Sequence, residues 1–227
     1  MTGSWAVLDR TVLKSSEAGH RAMVSLRRYD NTWYHPGRGL FTRTLWFCAG
    51  LPILRCASLP GSGWRVALLR LFGAQIGSGA RIKPGFRVKY PWRLTVGDDC
   101  WLGEDAWIDN LADVVAGDSV CISQGAYLCT GNHDWSDPAF GLITKEIHLG
   151  NSSWVGARAT IGPGATLGEG SVAAAGSVVT GSIPPWEIHG GNPAKCLRLR
   201  TLREFAPGNM ACFPNDATVE PARPDRF

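Results

Sequence analysis

Several features that would make a function easy to assign are missing from this sequence. Its seven cysteines (48, 56, 100, 121, 129, 196 and 212) contain no C-x-x-C pair. That odd set favours free thiols in a reducing compartment over disulfides or a zinc site. No glycine-rich phosphate loop occurs. Charged residues make up only 19%, and a net charge of +4 is too small and too scattered for a nucleic-acid-binding face. The N-terminus lacks the charged-then-apolar layout of a signal peptide, so a cytoplasmic location is expected. No apolar run reaches the roughly 20 residues that span a bilayer. The most apolar stretch, TLWFCAGLPIL (44–54), is interrupted by Gly50 and Pro52. It reads as core or subunit packing, with a peripheral membrane contact as the alternative.

What the chain does have is glycine (28) and proline (14) in a composition that is 44% apolar. This combination implies many turns around a packed interior, in a length suited to one main domain with an appendage. From Ile76 onward an aliphatic residue recurs every six positions. The hexads start at 76, 82, 88, 96, 102, 108, 116, 122, 128, 149, 155, 161, 167, 173 and 179. Thirteen of these starts are Ile, Leu or Val, two are Ala, and eight are followed by Gly. A period of six fits neither a helix at 3.6 nor a hairpin meander. It suits a parallel β-helix, in which short strands turn tight corners that glycine relieves.

Taken in threes, the hexads start at 76, 96, 116, 149 and 167, with gaps of 20, 20, 33 and 18 residues. A bare coil is then 18 residues, and about five coils build a prism on the order of 25 Å tall. The gap of 33 contains one extruded loop, assigned to Asp134–His148, with His133 at its root. Such an insertion in a regular repeat usually carries function. The expected organisation is a helical and irregular segment over 1–75, the β-helix over 76–183, and a cap with a flexible tail over 184–227. Within the first segment, GWRVALLRLFGA (63–74) reads as a helix stopped by Gly73.

The hexads, together with ISQGAYLCTGNHDWSDPAF (122–140), GNPAK (191–195) and RRYDNTWYHPG (27–37), resemble the colanic acid biosynthesis type of O-acetyltransferase. That family is related to the galactoside and maltose acetyltransferases. The resemblance covers about residues 27–200 and implies a left-handed β-helix, whereas general rules for parallel crossovers favour the opposite hand. It also implies acetyl transfer from acetyl-CoA to a sugar hydroxyl of a saccharide or polysaccharide precursor, in a homotrimer with each site between two subunits. No metal is expected.

The resemblance casts His133 as the general base that takes the proton of the attacking hydroxyl, a role that suits a neutral imidazole. Asp134 is the second catalytic candidate, orienting the imidazole or binding the acceptor, and Trp135 is a platform for a sugar face. Asp109 and Asn110, at a corner one coil earlier, share a substrate-binding role, one or both of them contacting the acceptor. Ala157, Ala175, Gly176 and Thr180 match positions along the coenzyme's pantetheine arm. Gly181 stands where a lysine is common. Lys195 and Arg198 match basic residues near the coenzyme's phosphate end, where a cation is physically apt. Each has a plainer reading as a loop, corner or solvated surface residue.

Two other enzyme readings and one non-enzymatic one compete. An N-acyltransferase acting on an amino sugar-nucleotide would use the same base. A zinc carbonic anhydrase of this fold needs three converging histidines. His20, His35, His148 and His189 do not supply the closely spaced pair beside the loop. A non-catalytic scaffold would not need His133 or GNPAK.

Overall fold

The computed structural model describes residues 23–203. Expectations for the extreme N-terminus, His20, Cys212 and the tail beyond 203 lie outside the described residues. A short turn at Leu26–Arg28 precedes α1 (Leu40–Leu45), which runs through a π turn at Trp46–Gly50 into α2 (Leu51–Arg55). Pro52 has no N–H to give to a helical ladder, and the widened turn just before it accommodates the loss. α3 (Gly63–Leu71) follows and ends where expected. Gly73 takes φ +94°, and Ala74 N–H reaches back to Leu69 O at 3.0 Å.

The hexads then build five complete coils of three short strands. These are β1 (Gln75–Ile76), β2 (Arg81–Ile82) and β3 (Arg87–Val88), then β4 (Leu94–Val96), β5 (Trp101–Leu102) and β6 (Trp107–Asp109). The third coil is β7 (Val114–Ala116), β8 (Cys121–Ile122) and β9 (Tyr127–Cys129). After an extruded hairpin of β10 (Gly131–His133) and β11 (Leu142–Thr144) come β12 (Ile147–Leu149), β13 (Trp154–Val155) and β14 (Thr160–Ile161). The fifth coil is β15 (Thr166–Leu167), β16 (Val172–Ala173) and β17 (Val178–Val179), and β18 (Glu187–Gly190) and β19 (Lys195–Leu199) close the described chain. No helix is long and apolar enough to cross a membrane among the described residues.

Parallel pairing stacks these strands into three faces. The first face runs β1-β4-β7-β12-β15, the second β2-β5-β8-β13-β16, and the third β3-β6-β9-β14-β17. The register aligns hexad starts in columns, such as Val88, Ile108, Leu128, Ile161 and Val179 on the third face. All fifteen predicted hexad starts are buried in the single core. The fourth residue of a hexad takes the left-handed conformation at corners, as at Gly85, Asp105, Gly125, Arg158 and Gly176 along one edge of the prism. The glycine that often follows the start answers a different need. A Cβ on Gly156 would lie 2.6 Å from Ala175 N in the next coil.

Two boundaries differ from expectation. The extrusion begins at Gly131, so His133 lies within it as the last residue of β10, paired with Leu142. His148, assigned to the loop, is instead in β12 on the first face, beside Val115 and Thr166. A gap length fixes how many residues are inserted but not where the coil is left. The repeat also outlasts residue 183. Ile183 bridges Leu167 and β18 pairs in parallel with β16, starting a sixth turn that β19 covers as an antiparallel edge.

The apolar stretch 44–54 supplies core packing. Trp46 and Leu54 are fully buried, while Leu45, Phe47 and Ile53 stay exposed. The Trp46 ring lies 4.9 Å from that of Phe72, and its Nε1 donates to Val88 O at 3.3 Å. The helices thus close the open lower end of the prism.

Candidate active site

His133 is built into a rigid support. The hairpin tip is tied by Asp134 N–H to Gly141 O (2.8 Å), and Asp137 Oδ1 and Oδ2 accept from Ala139 N–H and Gly141 N–H. This turn puts Phe140 at φ +55° and aims its carbonyl at His133 Nδ1, 2.9 Å away. A carbonyl only accepts, so Nδ1 carries the proton and a neutral ring presents its lone pair at Nε2. The Phe140 ring stacks on the imidazole at 4.4 Å and 9°, and Tyr29 meets it edge-on at 5.5 Å. The N-terminal segment is fastened to the same loop by Ser25 N–H donating to Pro138 O (2.8 Å).

Asp134 does not orient the imidazole. Its Oδ1 accepts from Ser136 N–H (2.9 Å) and Ser136 Oγ–H (2.5 Å), closing a local turn of its own. These bonds hold its carboxyl below the usual range, the hydroxyl contributing most. The orienting group is a backbone carbonyl. Trp135, beside it, is 82% exposed.

Asp109 and Asn110 separate cleanly. Asn110 is fully buried, with Oδ1 accepting from Tyr90 N–H (2.9 Å) and Nδ2 donating to Tyr90 O and Arg93 O. Its polar atoms are spent on the backbone, which corrects its assignment as a substrate contact. Asp109 points outward from the third face. Lys89 Nζ lies 2.9 Å from its Oδ1, and Tyr127 O–H donates to its Oδ2 at 3.3 Å. Burial pushes the Tyr127 phenol up, so it remains a donor. Asp109 pairs in register with Cys129, four residues before His133, so acid and histidine belong to one corner of the prism in consecutive coils.

A groove of about 280 Å³ opens beside this corner, between α2 and the third face. It is lined by Phe47, Arg55, Arg87, Lys89, Trp107 and Asp109, among others. Three cations, Arg55, Arg87 and Lys89, line it with one carboxylate, so the charge of its lining is net positive. Lys89, Tyr127, Phe140 and Tyr29 were not among the sequence candidates. Lys89 and Asp109 are both the second residue of their hexads and fall in register one coil apart. Reading the hexads as columns would have brought them together.

The coenzyme candidates lie elsewhere. Ala157, Ala175 and Gly176 share the corner between the second and third faces, where Gly176 N–H donates to Ala157 O at 2.8 Å. Thr180 follows β17 on the same corner as His133, two coils higher, and is exposed. Lys195 and Arg198 are exposed on β19, and neither forms an ion pair among the described residues. Within one chain, then, the third face separates the corner bearing Ala157, Ala175 and Gly176 from the corner bearing His133.

A six-residue parallel solenoid with a histidine-bearing hairpin at a corner defines the hexapeptide-repeat class of acyltransferases, and comparison with known proteins agrees. No protein-family model matches the chain. The putative colanic acid biosynthesis acetyltransferase WcaF of Escherichia coli K12 is 38% identical over 141 residues, covering 62% of this chain and 78% of that protein. A hexapeptide-repeat acetyltransferase from Vibrio cholerae, solved in complex with acetyl coenzyme A, superposes with a TM-score of 0.64. It is 25% identical, with 71% of this chain and 88% of that one covered. A galactoside acetyltransferase in complex with coenzyme A gives a TM-score of 0.52 at 25% identity, covering 68% and 84%. The chain belongs to the colanic acid biosynthesis acetyltransferase family of hexapeptide-repeat enzymes, and is an acyltransferase.

Proposed function

We propose that this enzyme transfers the acetyl group of acetyl-CoA to a hydroxyl of a saccharide, with His133 as general base. The observation that carries this reading is the hydrogen bond from His133 Nδ1 to Phe140 O, which leaves Nε2 as a fixed proton acceptor. In the reaction Nε2 takes the hydroxyl proton as the oxygen attacks the thioester carbonyl. The tetrahedral intermediate collapses by breaking its C–S bond, and the departing thiolate recovers the proton from His133. The products are an acetyl ester and free coenzyme A, with no acyl-enzyme. Asp109, held by Lys89 and Tyr127, accepts from an acceptor hydroxyl, and Trp135 offers a ring to a sugar face.

The coenzyme lies along Ala157, Ala175 and Gly176, with Thr180 near its arm and Lys195 and Arg198 at its phosphates. Because that corner is across a face from His133 in the same chain, the complete site needs two chains, one giving the histidine corner and the other the coenzyme corner. A closed homotrimer supplies three such junctions. The names of the colanic acid and galactoside relatives support a saccharide acceptor.

The test is release of free coenzyme A thiol from acetyl-CoA in the presence of a panel of neutral, amino and acidic saccharides. Release that depends on an acceptor with a free hydroxyl supports the proposal. Release with amino sugars alone would replace it with N-acylation, and no release with any acceptor would reject it.

A further inference from the structure

Away from the histidine corner, donor atoms of three kinds converge at one place among the described residues. The Glu187 carboxylate, the His189 imidazole and the Cys196 thiol each offer a ligand atom, all within 4.8 Å of one another. Strand register builds the group. Glu187 and His189 are two residues apart on β18 and so share one of its faces. Cys196 sits opposite His189 on antiparallel β19, where directly opposed side chains touch. The ladder shifts at Ile188/His189, a bulge of the kind that re-aims a side chain. His189 Nε2 already lies 2.8 Å from Glu187 Oε2, and both side chains are largely covered, at 14% and 25% exposed.

We propose that Glu187, His189 and Cys196 form a zinc site. Mixed sulfur, nitrogen and oxygen donors suit this borderline-soft ion, and a water completes four-fold coordination. On binding, the thiol loses its proton to solvent and the neutral imidazole ligates through a ring nitrogen. The thiolate and the Glu187 carboxylate then balance the charge of the ion. The metal cross-links β18 to β19 and so fixes the intervening turn, residues 191–194, that leads into Lys195. It lies outside the acetyl-transfer chemistry, and the proposal stands or falls independently of that reading.

The test uses the full chain, stripped with a chelator and titrated with Co²⁺ as a spectroscopic substitute. The expected result is one Co²⁺ per chain with a thiolate-to-cobalt charge-transfer band, displaced by Zn²⁺. Cys196→Ser abolishes the band, His189→Ala weakens binding by more than about tenfold, and Cys121→Ser keeps both. Far-UV circular dichroism confirms that the variants are folded. Absence of the band in the unaltered chain, or its persistence in Cys196→Ser, would overturn the site.

Discussion

Replacing Trp46 tests whether the N-terminal helices are an integral part of the β-helix. Trp46 is fully buried between Gly50, Phe72 and the first coil. Burying an indole removes about 200 Å² from water, which at about 25 cal/mol/Å² is an upper figure of about 5 kcal/mol. Its Nε1 also donates to Val88 O, a carbonyl of the outermost strand of the third face with no coil beneath it. Losing that bond costs about 1 kcal/mol. Measured truncations of buried aromatics run at about 3–5 kcal/mol, so Trp46→Ala is expected to cost about 4 kcal/mol. Trp46→Phe keeps most of the burial, loses the hydrogen bond, and is expected to cost about 1–2 kcal/mol. Urea unfolding followed by far-UV circular dichroism at one fixed protein concentration measures both, since association would add its own stabilisation. A Trp46→Ala protein within about 0.5 kcal/mol of the parent would refute the reasoning. The helices would then be an attached arm, and the groove lined by Phe47, Leu51 and Arg55 would lose its wall.

Two further outcomes are expected. Lys195→Ala weakens acetyl-CoA binding by about tenfold in calorimetry, as loss of one charge-assisted phosphate contact should, while 3′-dephospho-acetyl-CoA binds parent and variant alike. Asp134 has its folded-state pKa depressed by the Ser136 bonds. Its support of the hairpin tip is therefore complete above the ordinary carboxylate pKa of about 4 and is lost as pH falls through the lower folded value. The protection of the Ser136 amide against hydrogen exchange, taken relative to an unstructured amide at the same pH, should fall in that acid window in the parent and stay flat in Asp134→Asn, which keeps an acceptor oxygen but does not titrate.

The prism was legible because its period is enforced by packing: each hexad start must point inward, and all fifteen do. The alternation that a strand imposes also separates Ile108 (in), Asp109 (out) and Asn110 (in), so the sequence contained the means to choose between the last two. Other features were less accessible. The point at which the chain leaves the third coil depends on the hairpin pairing Gly131 with Thr144, which leaves no mark on the hexad count. The group that orients His133 is the Phe140 carbonyl, an atom every residue possesses, so an adjacent carboxylate drew attention that belonged to the backbone. The Glu187–His189–Cys196 group arises from a bulged register between two strands that no hexad rule covers.

The central claim is that His133 is the base, and the pH dependence of kcat/KM for the enzyme and its His133→Asn variant tests it most directly. The account predicts an acid limb in the parent, where protonated imidazole cannot accept, and a loss of about 10²–10⁴ in kcat/KM with disappearance of that limb in the variant. A variant within tenfold of the parent, or one that keeps the acid limb, would contradict it.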